Sequence, residues 1–212
     1  MAQDTDPVGN GFIASLARPG GNITGLATLF PEVSGKRLEI LREVVPNLSR
    51  VALVGTSTSP GYAQVQKDVE LAAKAFKVKL ENHDVLDSKD IETAFRAAIE
   101  DRADALLTLP SGVLISYRSK LIALATKDRI PAIYHDSQYV EDGGLMSYSE
   151  SFTDLHHRAA TYVDKILRGT KPADLPVEQP KKFDFVINLK AAKQIILTIP
   201  PNVLARADRV IR

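Results

Sequence analysis

The sequence predicts an α/β fold, a mostly parallel, doubly wound sheet with helices on both faces. From residue 50 onward, short apolar runs alternate with longer amphipathic segments, the pattern of strands feeding crossover helices. The apolar runs show little polar alternation, as strands buried on both faces require. With 212 residues and 44% apolar composition, the chain is long enough to bury a core.

The elements follow in order. A charged helix holds Lys36, Arg37 and Arg42, read as a solvated face that could also meet a partner protein. Arg50–Gly55 is β-branched and unalternating, a buried strand. Tyr62, Val65, Val69, Ala73 and Phe76 recur at helical spacing. Val78–Val85 alternates imperfectly, which suits an edge strand. A helix carrying Ile91, Phe95 and Ile99 precedes the strand Ala103–Leu109. One helix is expected over 114–128, then strands at 131–134 and 145–148, and a helix at 153–167 stopped by Gly169. Pro172 and Pro176 mark an extended connector. Phe183–Asn188 reads as the last strand, followed by a short helix at 189–197 and a final helix near 203–210.

Composition excludes several classes of function. Lys and Arg number 27 against 26 Asp and Glu, so no net field draws nucleic acid or an anionic membrane. Zero Cys removes disulfides, thiolate nucleophiles and thiolate metal sites. No apolar run approaches the ~20 residues that span a bilayer, and Met1–Asp4 lacks the basic and apolar regions of a secretory leader. No G-x-G-x-x-G lies between strand and helix, and G-K-S/T and G-x-S-x-G are absent. His156 and His157 are adjacent, about 100° apart on a helix, so they do not align as metal ligands.

In an open α/β sheet, ligands gather at the carboxyl ends of the strands. Four loops are therefore candidates. Ser57 and Thr58 follow the first strand in a Gly- and hydroxyl-rich loop, where a hydroxyl either meets a ligand or caps the next helix. Ser111 sits in the same situation after the strand at 103–109. Asp136 either receives a ligand ammonium or caps the turn at Gln138. Tyr148 presents an aromatic face to a ligand or packs internally.

Several segments go beyond periodicity. Ser15–Gly25 reads Ser-Leu-Ala-Arg-Pro-Gly-Gly-Asn-Ile-Thr-Gly, within a stretch from Asp6 to Leu26, and Ser34–Leu41 reads Ser-Gly-Lys-Arg-Leu-Glu-Ile-Leu. Gly143–Tyr148 reads Gly-Gly-Leu-Met-Ser-Tyr, and Ala159–Gln179 carries Lys-Ile-Leu-Arg-Gly-Thr-Lys-Pro. With Phe185–Lys190 and Ile199–Pro201, these segments resemble bacterial ABC-transporter substrate-binding proteins of the periplasmic-binding-protein type I fold, a branch that includes aromatic amino-acid binders.

The resemblance implies two α/β lobes, joined by crossing strands, that close on a small molecule. Set against it, this chain is essentially the C-terminal lobe plus remnants of the N-terminal lobe. Residues 1–33 would be that remnant and first crossover, 34–146 the C-terminal lobe, and 147–212 the returning segments with a terminal strand and helices. The missing leader would then have been lost with most of the N-terminal lobe. The apolar side of the helix at 153–167 (Leu155, Ala159, Tyr162, Val163, Ile166) would lack its partner and favour self-association.

The function implied is capture of a small solute, an amino acid as the first expectation, for an ABC importer. It involves no catalysis, cofactor or metal. The partners implied are permease subunits and no nucleic acid, in the periplasm or on a lipid anchor outside the cell. The alternatives are the effector-sensing domain of a transcription regulator with the same fold, or an α/β hydrolase.

Overall fold

The computed structural model describes residues 4–212. The chain divides into two compact units, one of residues up to Phe30 with Glu150–Phe183, the other of Pro31–Ser149 with Asp184–Arg212.

The larger unit is built on strands β1 (Arg50–Gly55), β2 (Lys79–Asp84), β3 (Ala105–Thr108), β4 (Ala132–Tyr134), β5 (Met146–Glu150), β6 (Phe183–Asn188) and β7 (Arg209–Ile211). Among the described residues they form one sheet in the order β2-β1-β3-β4-β5-β6-β7. Pairings β1–β2, β1–β3, β3–β4, β4–β5 and β6–β7 are parallel. β5 and β6 run antiparallel, because Asn188 N–H donates to Leu145 O at one end and Ser151 N–H to Lys182 O at the other. The sheet is therefore mixed, and mostly parallel.

The helices are α1 (Phe30–Val44), α2 (Tyr62–Phe76), α3 (Ser88–Glu100), α4 (Gly112–Ser116), α5 (Arg118–Lys127), α6 (Gln138–Glu141), α7 (Phe152–Leu167), α8 (Leu189–Gln194) and α9 (Pro201–Leu204). On one face of the sheet Val54, Leu106 and Ala132 pack with Ile91 and Phe95 of α3 and Leu121 of α5. Leu53, Leu107 and Ile133, one position out of phase, belong to the opposite face and are fully buried. Burying each such side chain contributes about 2 kcal/mol. Glycine is required at Gly55, where a Cβ would stand 2.6 Å from the Tyr62 ring and 3.3 Å from Leu109.

Three expectations change here. The helix expected over 114–128 is two, α4 and α5, broken at Tyr117, whose φ of −113° and ψ of 22° leave the helical region. The helix expected near 203–210 is α9 followed by edge strand β7. Asp208 accounts for this, accepting from Phe185 N–H through its carboxylate (2.8 Å) and donating its own N–H to Phe185 O (2.9 Å). Those bonds draw β-branched Val210 and Ile211 alongside β6. Arg37 is not on a solvated face at all; it is fully buried.

In the smaller unit, Leu155 and Tyr162 of α7 pack with Leu26 and Leu175, while Ile13, Ala27 and Val177 form a second cluster. A bridge between Leu26 and Glu178 holds the two extended segments together, and Thr24 Oγ1 donates to Leu175 O at 2.6 Å. Tyr162 OH donates to Pro176 O at 2.5 Å. The expectation of an uncovered face is thus corrected for Leu155 and Tyr162, 2% and 6% exposed, because the segments around Leu26 and Leu175 cover them. Val163, Ile166 and Leu167 do remain exposed.

Candidate ligand-binding edge

The strand order reverses direction between β1 and β3, since β1 is flanked by β2 on one side and β3 on the other. At such a point crossovers depart to opposite faces and the loops splay apart, the favoured ligand position in open α/β sheets. The parallel register lines up the carboxyl ends of β1, β3, β4 and β5. The loops after β1, β3 and β4 hold Ser57 and Thr58, Ser111, and Asp136, whereas Tyr148 and Ser149, expected to follow the next strand, lie within β5 itself, which runs on to Glu150.

Ser57 is exposed and tied to the end of β2: Asp84 accepts its N–H at 2.8 Å and its hydroxyl at 2.6 Å. Thr58 beside it is also exposed. Ser111 is buried and its hydroxyl is spent within the chain. Thr56 Oγ1 donates to Val85 O (2.8 Å) and lies 2.6 Å from Ser111 Oγ. A hydroxyl has one hydrogen, so Ser111 is the donor of that second bond, and it accepts from Leu114 N–H as the cap of α4. Asp136 accepts from Gln138 N–H at 2.7 Å, closing a turn. Tyr148, half-buried, meets Phe185 edge-on at 6.1 Å between centroids. Burial raises its phenol pKa.

Two further residues stand at this edge, Arg37, expected on a solvated face, and His135, which was not among the candidates. Arg37 Nε donates to Tyr148 O at 2.7 Å and Nη1 to Ser34 Oγ at 2.9 Å. The signal was present: Val33, Arg37, Leu41 and Val44 fall on one stripe of α1, and the other three are apolar. His135, directly after β4, is buried, and burial first and the Arg37 charge second push its pKa down to about 3. Its backbone N–H donates to Thr108 Oγ1 at 3.2 Å, and the same hydroxyl shares a 3.0 Å hydrogen bond with His135 Nδ1. The other ring nitrogen, Nε2, has no hydrogen-bond partner among the described residues. Tyr139 lies against this ring at 5.2 Å and stacks on Tyr134 at 4.6 Å.

Among the described residues no group of His, Asp or Glu is placed to hold a metal ion, and no helix is long and apolar enough to cross a membrane. The edge offers a hydroxyl, a carboxylate and an aromatic ring, groups suited to holding a small amphipathic molecule.

Comparison with known proteins is consistent with this. The family model for ABC transporter substrate binding protein matches residues 1–211. The chain is 23% identical over 196 residues to a tyrosine-binding protein of Clostridioides difficile, covering 92% of this chain and 56% of that protein. It is 32% identical to the crystal structure of a conserved domain protein of Vibrio cholerae, with a TM-score of 0.89, covering 97% of this chain and 69% of the other. It is 26% identical to an ABC domain from Streptococcus pneumoniae solved in complex with L-tryptophan, with a TM-score of 0.88, covering 100% of this chain and 72% of the other. The chain spans about half the length of the curated relatives it matches. With a family model matched along nearly its whole length, the chain belongs to the ABC transporter substrate-binding protein family.

Proposed function

We propose that this chain is the solute-binding component of an ABC importer, acting outside the cytoplasm, handing its solute to permease subunits and performing no catalysis of its own. The solute we assign is an aromatic L-amino acid. The observation that carries this is the likeness, over the full chain, to the domain solved with L-tryptophan, and the tyrosine-binding relative points the same way.

In this reading Asp136 receives the ligand ammonium, Thr58 takes the carboxylate, and Tyr148 packs against the aromatic ring. Ser57 and Ser111 are scaffold, since Ser57 already donates its N–H and hydroxyl to Asp84 and the Ser111 hydroxyl is committed to Thr56 and Leu114. Titration calorimetry of the chain against L-tryptophan, L-tyrosine, L-phenylalanine, their D-isomers and a panel of pentoses tests it. Saturable binding of one or more aromatic L-amino acids, lost in Asp136→Ala, is expected. Binding of a sugar in their place, or of no amino acid, would overturn the assignment.

A further inference from the structure

Arg37 has the largest side chain among the fully buried residues. Withdrawing a guanidinium from water costs several kcal/mol, and apolar replacements of similar volume are often as stable or more so. Simple core filling therefore explains it poorly. A planar fork with fixed donor directions serves better where a carbonyl must be held in one place. Arg37 spends Nε on the Tyr148 carbonyl and Nη1 on Ser34 of its own helix.

The location matters more than the bonds. The chain passes from one unit to the other at Phe30–Pro31, Ser149–Glu150 and Phe183–Asp184. Arg37 lies two turns into the helix that begins at the first passage. Tyr148 is next to the residue at which the second begins, and Phe185, just after the third, packs against the Tyr148 ring. One buried charge and one aromatic pair thus join the three segments on the side of the larger unit. The same guanidinium lies near enough to His135 to help keep its imidazole neutral.

We propose that Arg37 is a positioning residue for solute capture: by holding the Tyr148 carbonyl it fixes the middle of β5, two residues before that strand ends, and the segments through which the chain passes between its units. This rests on the solute-binding reading above. A lysine keeps the charge but lacks the fork, so it should not hold the carbonyl and Ser34 at once.

The test compares the unaltered chain with Arg37→Lys and Ser34→Ala by amide hydrogen exchange, thermal melting and L-tryptophan calorimetry. The Ser151 and Phe185 amides, hydrogen-bonded to Lys182 O and Asp208 Oδ2, should exchange about tenfold faster in Arg37→Lys while β1 and β3 stay protected. Affinity should fall about tenfold, ~1.4 kcal/mol. Ser34→Ala, which removes one bond and little packing, should move both readouts in the same direction by less, and it answers the question if the lysine variant does not fold. Unchanged exchange at Ser151 and Phe185 overturns the proposal, as does acceleration spread evenly over the sheet with affinity intact, the signature of a purely structural arginine. No amino-acid binding by the unaltered chain overturns the solute reading, and the exchange comparison, which needs no ligand, then decides the role of Arg37 separately.

Discussion

Thr56 and Ser111 share a 2.6 Å hydrogen bond between their hydroxyls, joining the loops after β1 and β3 where the strand order reverses. The bond ranks the hydroxyls of the edge: Thr56 and Ser111 are buried and hold the loops, Ser57 is exposed but bonded to Asp84, and Thr58 is exposed. Ser111→Ala should therefore cost about 1–2 kcal/mol of stability, from the lost helix cap and a buried hydroxyl left without its donor. Ligand affinity should hardly change. Urea denaturation paired with calorimetry checks both halves, and an affinity loss without a stability loss would place Ser111 in contact with ligand.

Leu53 lies at the centre of β1 with no exposed surface. Leu53→Asp should abolish folding, since an unpaired buried carboxylate costs several kcal/mol, comparable to the stability of a whole domain. Far-UV circular dichroism on heating is the measurement, and a cooperative transition near that of the unaltered chain would contradict the burial.

His135 gives stability a pH dependence. Its folded pKa is pushed down to about 3 from an ordinary value of 6.5. Between those values the unfolded chain binds the proton and the folded chain does not. The contribution is thus complete above pH ~6.5 and is lost as pH falls towards 3, at roughly 1 kcal/mol per unit. His83, lowered by its own burial, has the same sign. Asp104, held low against burial by the Ser49 and Arg50 amides, adds its loss only below about pH 4. Denaturation curves from pH 7 to 4.5 should slope downward for the unaltered chain and flatten in His135→Asn; parallel slopes would mean the imidazole is not the group that titrates.

Tyr162 anchors α7 through its hydroxyl, which reaches Pro176 O and, at 3.1 Å, Glu178. Burial first, then the Glu178 charge, push its pKa up to about 12. Tyr162→Phe should retain the apolar packing on Leu26 and Leu175 and lose about 1 kcal/mol from the unmade hydrogen bonds. Protease susceptibility of residues 170–180 should rise with it. A variant as resistant as the parent would assign the hold on this segment to packing alone.

What the sequence determined by itself is the set of elements whose signal is local. The β-branched runs of β1 and β6 and the apolar stripes of α2 and α3 could be read directly, because side-chain periodicity follows from backbone geometry within a few residues. The carboxyl-end rule also singled out the loops carrying Ser57, Ser111 and Asp136, while Tyr148, expected beyond its strand, lies within β5. Tertiary structure decided what depends on a partner far along the chain. Residues 209–211 become a strand only because β6 lies beside them, bonded through Asp208 and Phe185. Leu155 and Tyr162 are covered by Leu26 and Leu175, which arrive from distant positions. The hydrogen bond that ties the Ser111 hydroxyl to Thr56 spans 55 residues of sequence. Arg37 and His135 acquire their character from burial, and desolvation is set by everything packed around a group, a quantity no local pattern encodes.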